Sequence, residues 1–160
     1  MLDNDTQSRL LQQYSILREL PVAELGSLLA SAHVMQLPAG AVVFDENQPC
    51  QGFPMLLSGS IRVIKSAPNG RELQLYRILP GESCILTSSC LLGHTRYQAR
   101  GITEQPTEMV VLSASDFHLL FGKFETFRSY VFHLFSERLT GLMIESNLKA
   151  GRQDLLPGKA

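Results

Sequence analysis

The sequence is short of charge, contains no tryptophan and has no long apolar run. Charged residues make up 18% of the 160 residues and the net charge is −1, so the chain lacks the basic excess that marks a nucleic-acid-binding surface. No apolar stretch approaches the roughly 18–20 residues that a membrane span needs. The polar and acidic start, MLDNDTQSRLLQQY, is unlike a secretory signal peptide. These absences predict a cytoplasmic protein that contacts neither a membrane nor DNA through this part of the chain.

Cysteine is also scarce. The three cysteines, Cys50, Cys84 and Cys90, cannot all pair with one another, and without an export signal we expect them to be reduced thiols. An apolar core must then hold the chain together without disulfides. The hydrophobic content of 44% and the length of 160 residues are sufficient for one such domain.

The spacing of apolar residues divides the chain into parts. The first 32 or so residues have helical spacing and predict two short helices, with Pro21 in the first turn of the second. From His33 to Leu112, short alternating or β-branched runs are separated by turn residues, which predicts a sandwich, barrel or jelly roll. Within this part, Asn69-Gly70 predicts a tight hairpin. A later strand pair is predicted at about Tyr97–Thr103 and Glu108–Leu112.

The end of the chain is predicted to be helical. Ser113 or Ser115 can cap a short helix, and a longer helix runs from about Glu125 to Lys149. This longer helix has two apolar rows, whereas packing on one barrel requires a single apolar face. The second row therefore predicts a partner helix and a homodimer, although burial inside its own domain is the alternative. The predicted dimerisation residues are Phe127, Val131, Leu134, Phe135, Leu139 and Leu142, and Phe132 lies in the same row as the last three.

Several turn motifs resemble those of one known family. The markers are Pro38-Ala39-Gly40, Leu57-Ser58-Gly59, Asn69-Gly70 and Leu79-Pro80-Gly81-Glu82. Together with the order of helices and strands, they resemble the effector domain of the Crp/Fnr family of bacterial transcription regulators, over about Leu10 to Leu148. The resemblance implies a mainly β fold with flanking helices. That fold is a double-stranded β-helix (jelly roll) of the cyclic-nucleotide-binding-domain type, followed by a long C-terminal dimerisation helix.

The resemblance also implies the organisation of the chain. We expect a β-roll with N-terminal helices over residues 1–124, a dimerisation helix over 125–150 and a flexible tail over 151–160. The helix-turn-helix DNA-binding domain of full-length relatives is absent from this sequence, so DNA contact is expected only through such a domain. One departure from the family is Asn47, where relatives often have glycine. Asparagine tolerates a left-handed turn, so this departure changes little.

Nucleotide-binding members of this family use a cassette in which Gly-Glu binds the ribose hydroxyl and a later Arg-Ser or Arg-Thr binds the cyclic phosphate. Here the corresponding positions fall within Ile85-Leu86-Thr87, which has no carboxylate. Downstream, Arg96-Tyr97 replaces Arg-Ser. An alignment from the start of this element places Arg96 at the position of the phosphate-binding arginine, whereas an alignment from the following strand places Tyr97 there. An unmatched buried hydroxyl costs roughly 1–3 kcal/mol. We therefore predict an effector other than cyclic AMP.

The same segment remains the predicted ligand pocket. Hydroxyl residues at a helix start, with arginine nearby, can hold a small anionic effector that the sequence does not identify; the alternative is a helix cap beside solvated arginines. The pocket candidates are Thr87, Ser88, Ser89, Arg96, Tyr97, Gln98 and Arg100.

The cysteines in this segment allow three interpretations. Cys84, Cys90 and His94 form a Cys-x5-Cys-x3-His pattern, which fails the Cys-x2–4-Cys spacing of zinc sites. Iron–sulfur members of the family have an N-terminal cysteine cluster, and this chain has no cysteine before Cys50. Core packing is the main interpretation. A redox role of Cys84 and Cys90 is the alternative, and no metal site is predicted.

No nucleophile motif, phosphate-binding loop or dinucleotide fingerprint is present, so we expect a protein that is not an enzyme and has no assigned cofactor. The function predicted from the sequence is ligand sensing and dimerisation in a Crp/Fnr-type transcription regulator, with a small-molecule or redox effector. Two other functions stay open. One is a metal-binding cupin-like small protein or enzyme, and the other is a structural dimerisation module without a ligand.

Overall fold

The computed structural model describes residues 2–154, and it describes the side chains of residues 2–141. The helices are α1 (Asn4–Gln13), a 3-10 helix (Ser15–Glu19), α2 (Val22–Ser31), α3 (Ile85–Gly93), α4 (Ala114–Lys123) and α5 (Glu125–Asp154). The strands are β1 (His33–Leu37), β2 (Val42–Phe44), β3 (Gly52–Ser58), β4 (Ile61–Ser66), β5 (Glu72–Ile78), β6 (Arg100–Thr103) and β7 (Thr107–Ser113). No helix within residues 2–154 combines the length and apolar character that a membrane crossing requires.

The strands form two antiparallel sheets that share an apolar core. The first sheet has the order β1-β7-β3 and the second has the order β2-β6-β4-β5. Leu56 and Met109 of the first sheet pack with Phe44, Ile61 and Val63 of the second. This shared core is the interior of the roll, and the predicted mainly β jelly roll with flanking helices is confirmed.

The helices cover the other face of the first sheet. Because side chains alternate along a strand, Phe53 and Met55 of β3 point away from the roll interior. They pack with Leu10 of α1, Phe117 of α4 and Phe127 of α5. This helical core anchors the start of α5 to the roll.

Local geometry agrees with the sequence at several turns and caps. The hairpin between β4 and β5 is closed by Ala67 N–H donating to Arg71 O at 2.7 Å, around the predicted Asn69-Gly70. Asn47 adopts a left-handed φ of +68°, the conformation that glycine usually supplies. Ser113 is the residue that caps α4, since its Oγ accepts from Asp116 N–H at 3.1 Å.

Three boundaries differ from the prediction. Helix α3 begins at Ile85 with Cys84 as its N-cap, so Thr87 and Ser88 lie inside the helix rather than capping it. Strand β6 begins at Arg100, three residues after the predicted start at Tyr97. Helix α5 continues to Asp154, beyond the predicted end at residue 150, and residues 155–160 of the predicted tail lie outside the described part of the chain.

Candidate functional site

The predicted pocket residues surround helix α3, which packs against the roll interior. Two of its hydroxyl residues, Thr87 and Ser88, are fully buried. Thr87 Oγ1 lies 3.0 Å from the Tyr97 hydroxyl, and Ser88 Oγ donates to Cys84 O at 3.3 Å. Ser89 is exposed. The two buried hydroxyls are therefore already hydrogen-bonded within the chain.

Tyr97 is the centre of this arrangement. Its ring is 6% exposed and stacks on Phe44 with centroids 4.3 Å apart and planes 10° from parallel. Its hydroxyl contacts Thr87 of α3 and also accepts from Cys50 Sγ at 3.3 Å. Burial raises the pKa of the Tyr97 phenol, so it stays protonated. The ring thus occupies the space between α3 and β2.

The nearby cationic side chains have other partners. Arg96 is exposed and donates to Asn47 O at 2.8 Å. Arg100 donates from Nε to Asp45 Oδ1 at 2.9 Å, and this hydrogen bond lowers the pKa of the Asp45 carboxyl. The exposed Gln98 accepts Lys65 Nζ at its backbone oxygen at 2.7 Å. The two guanidinium groups therefore bond to the connection that follows β2, whereas the buried hydroxyls bond to Tyr97 and to the backbone at the start of α3. The structure does not bring the arginines and the hydroxyl residues together into one anion site.

Two of the three cysteines contact a tyrosine hydroxyl: Cys50 contacts Tyr97, and Cys84 contacts Tyr76. Cys84 Sγ, which is fully buried, accepts from Thr87 N–H at 3.4 Å and lies 3.3 Å from the Tyr76 hydroxyl. Cys90 is 4% exposed, and burial raises its pKa. The sequence did not single out Cys50 as a site residue. It is half-buried, and desolvation raises its pKa to about 11.

His94 does not join the cysteines. It ends α3 in a left-handed conformation and stacks on His118 with ring centroids 5.4 Å apart. Cys84, at the other end of α3, faces the roll interior. Within residues 2–141, no group of three histidine, cysteine or acidic side chains is arranged to hold a metal ion.

The predicted dimerisation residues divide between two environments. Phe127 and Val131 are 1% and 0% exposed in the chain's own helical core. They have no surface left for a partner, so they do not belong to the predicted interface. Leu134 and Phe135 are half-buried, whereas Leu139 is 59% exposed. The side chain of Leu142 lies outside the described residues. Phe132, in the same predicted row, is 57% exposed and packs edge-on against Phe121.

Two contacts join α5 to the segment around α3. The Tyr130 and Ser83 hydroxyls are 2.7 Å apart. Farther along, the Arg138 guanidinium lies 4.4 Å from the centroid of the Tyr76 ring, and the hydroxyl of that tyrosine contacts the α3 N-cap, Cys84. Helix α5 therefore touches the β-roll beside α3 as well as the helical core. The sequence analysis did not single out Arg138, because a contact between residues so far apart in sequence leaves no local pattern.

Comparisons with known proteins agree with this architecture. The Catabolite Activator Protein of Thermus thermophilus is 21% identical with a TM-score of 0.69, over 84% of this chain and 62% of that chain. A protein from Eubacterium rectale assigned to the Crp/Fnr family of transcriptional regulators is 20% identical with a TM-score of 0.75, over 82% of this chain and 61% of that chain. The sensor domain of the transcriptional regulator DNR from Pseudomonas aeruginosa is 20% identical with a TM-score of 0.62, over 98% of this chain and 97% of that domain.

These likenesses show a shared fold and confirm the resemblance noted in the sequence. The chain spans about three-fifths of the length of the first two proteins. A comparison with curated protein sequences gave no match. The family model described as the cyclic nucleotide-binding domain matches residues 34–124, which is more than half of the chain and covers the whole roll with α3 and α4. The chain belongs to the cyclic nucleotide-binding domain family.

Proposed function

We propose that this chain is the sensing and dimerisation part of a Crp/Fnr-type bacterial transcription regulator, that it acts in the cytoplasm and that it is not an enzyme. Family membership and the fold shared with such regulators support a regulatory ligand-sensing domain. The observation that carries the proposal is the exposed apolar row on α5, because a homodimer is the arrangement that would bury it.

The row has the spacing of a two-helix seam. Phe132, Phe135, Leu139 and Leu142 follow one another at intervals of three and four residues, as the core positions of a coiled coil do. Phe132 and Leu139 are each more than half exposed in the single chain. Large apolar side chains aligned on one exposed face mark an interaction surface. Two copies of α5 packed along this row would cover both.

The effector is proposed to be something other than a cyclic nucleotide. The Tyr97 ring fills the space beside α3, and Arg96 bonds a backbone oxygen at the protein surface. The segment Ile85-Leu86-Thr87 has no carboxylate to bind a ribose hydroxyl, and the buried Thr87 hydroxyl already contacts Tyr97.

An effector would act through the contacts between α5 and the segment around α3. A ligand shifts an equilibrium only by binding two arrangements with unequal affinity. The contacts Tyr76–Arg138 and Ser83–Tyr130 are where a change near α3 would reach the dimer helix. We assign DNA contact to a separate helix-turn-helix domain, because the net charge of −1 lacks the basic excess that neutralises phosphates.

Sedimentation equilibrium of the purified chain tests the proposal. The wild-type chain should be a dimer at tens of micromolar. Leu139→Glu should weaken association at least about tenfold, because it places a charge in an apolar seam. Val42→Glu is the matched control, since Val42 is 51% exposed on β2, at the edge of the second sheet opposite β5, and it should leave association unchanged. A wild-type monomer, or equal effects of both variants, would contradict the proposed interface.

A dimerisation module without a ligand is the second candidate. The contact of Tyr97 with α3 and the internal bonding of Thr87 and Ser88 favour it, because they leave no preformed site between Tyr97 and that helix. It makes the same prediction for sedimentation and differs in that no small molecule should bind the roll.

A further inference from the structure

A cavity of about 480 Å³ lies at the edge of the roll, where the two sheets meet. Its walls come from both sheets, with Met35 of β1, Pro54 of β3 and Met109 of β7 on one side and Phe44 of β2 on the other. Tyr97 also lines it. The volume falls within the range of small-molecule sites, about 300–1,000 Å³.

The lining of this cavity is uncharged. None of the described residues that line it is acidic or basic, and most are aliphatic, aromatic or methionine side chains. The polar side chains that line the cavity are the amides of Gln48 and Gln51 and the hydroxyl of Tyr97. The Gln48 carbonyl oxygen already accepts from Asp45 N–H at 3.1 Å, which orients the amide so that its NH2 group is the donor available to an occupant. An ion entering this cavity would lose hydration without meeting an opposite charge.

The cavity also has an aromatic and sulfur-rich surface. Phe44 and Tyr97 form one stacked pair along it. Met35 and Met109 are directly opposed in the β1–β7 register. Stacked rings favour a further aromatic ring, and methionine sulfur makes favourable contacts with aromatic groups.

We propose that this cavity binds a small neutral aromatic molecule. The inference rests on the proposed sensing function, for which it names the class of effector. The Tyr97 ring lines the cavity while its hydroxyl bonds Thr87 of α3. An occupant packed on this ring therefore acts on the residue that also fixes the position of α3.

Methionine methyl groups report occupancy directly. We would label the full chain with 13C-methyl methionine and titrate it with methyl benzoate, using benzoate, which lacks only the ester methyl group, as the charged counterpart. Met35 and Met109 should shift with methyl benzoate in the millimolar range and not with benzoate. Met55 lies in the helical core on the opposite face of the first sheet, so its methyl signal should stay in place.

A matched pair of variants tests the location. Met35 and Val34 are neighbours on β1, each 40% exposed, but only Met35 lines the cavity. Met35→Asp should weaken methyl benzoate binding at least about tenfold, because the ligand would desolvate the new carboxylate. Val34→Asp adds the same charge to the same strand and should leave binding unchanged.

Several results would overturn the inference. They are the absence of a shift of Met35 and Met109 at millimolar methyl benzoate, equal shifts with benzoate, a shift of Met55 as large as the others, or equal losses of binding in both variants.

Sedimentation of the same samples separates this inference from the proposed function. A dimer that binds no methyl benzoate overturns the cavity assignment and leaves dimerisation standing. A monomer whose Met35 and Met109 signals shift overturns the dimer and leaves the cavity assignment standing.

Discussion

Tyr97 fills the position that the sequence left ambiguous. In extended chain, successive side chains point to opposite sides, so only one of Arg96 and Tyr97 can face the roll interior. The structure turns Tyr97 and Ala99 inward and Arg96 and Gln98 outward. The sequence allowed either register because a one-residue shift exchanges the two faces. Contacts with Phe44 and Thr87, which are distant in sequence, decide between them.

The hydroxyl of Tyr97 should contribute to stability. Tyr97→Phe keeps the ring stacked on Phe44 but leaves the buried Thr87 hydroxyl without this partner, so we expect a loss of about 1–3 kcal/mol in the free energy of unfolding. Urea denaturation measures this loss. In the double variant with Thr87→Val, the combined loss should be smaller than the sum of the single losses, because both remove one hydrogen bond. Strictly additive losses would show that the two hydroxyls do not interact.

Cys50 should react slowly at neutral pH. Only the thiolate reacts with iodoacetamide, and desolvation raises the pKa of the Cys50 thiol to about 11. Its alkylation rate, followed by mass spectrometry, should therefore keep rising as the pH approaches 11. In urea the same residue should reach its maximum rate at lower pH. Fast alkylation of the folded chain at pH 7 would contradict this environment.

The raised pKa of Cys50 also sets a direction for stability. The folded chain holds the proton to higher pH than the unfolded chain does, so the unfolded state loses it first and folding weakens as the pH rises towards 11. Cys50→Ala should remove this part of the alkaline decline in stability. An equal decline in the variant would assign the effect to other groups.

At the scale of elements, local rules predicted the strands better than the start of α3. Alternating apolar residues bounded by turn residues identify β4, whose Ile61 and Val63 are buried on one face. In β5 the alternation identifies the strand but not its buried face, because Leu73 and Leu75 are 54% and 44% exposed. The N-cap of α3 was assigned to Thr87, Ser88 or Ser89 because hydroxyl residues favour that position. Cys84 caps the helix instead. Its burial against Tyr76 is a tertiary contact that no local pattern reveals.

Two glycines with the same backbone conformation should differ in their tolerance of alanine. Gly59 and Gly70 have φ values of +88° and +82°, which cost an L-residue about 1–2 kcal/mol. A Cβ on Gly59 would lie 2.7 Å from Pro106 O and from Thr107 Cα, whereas a Cβ on Gly70 meets nothing within 4 Å.

Gly70→Ala should therefore lower the free energy of unfolding by only the conformational cost. Gly59→Ala adds overlap with rigid backbone, and its loss should reach about 3 kcal/mol or more. Urea denaturation of the two variants compares them directly. Equal losses would mean that the turn at Gly59 can open without disturbing β7.

At the scale of the whole molecule, sequence periodicity predicted two apolar rows on α5 but did not show which of their residues would contact a partner chain. Phe127 and Val131 belong to the chain's own core because α4 and β3 reach them. Phe132 touches α4 only edge-on at Phe121 and stays exposed, and Leu139 is exposed farther along α5. The division follows from how far α4 and β3 extend along α5, which depends on contacts between elements far apart in sequence.

Native mass spectrometry of the purified chain, with and without excess cyclic AMP, tests the central claim most directly. The account predicts a species with the mass of two chains and no saturable cyclic AMP adduct, because α5 presents an apolar seam and Tyr97 fills the space beside α3. Cyclic GMP serves as a second nucleotide and should behave in the same way. A single-chain mass at tens of micromolar, or one cyclic AMP bound per chain at micromolar concentration, would contradict it.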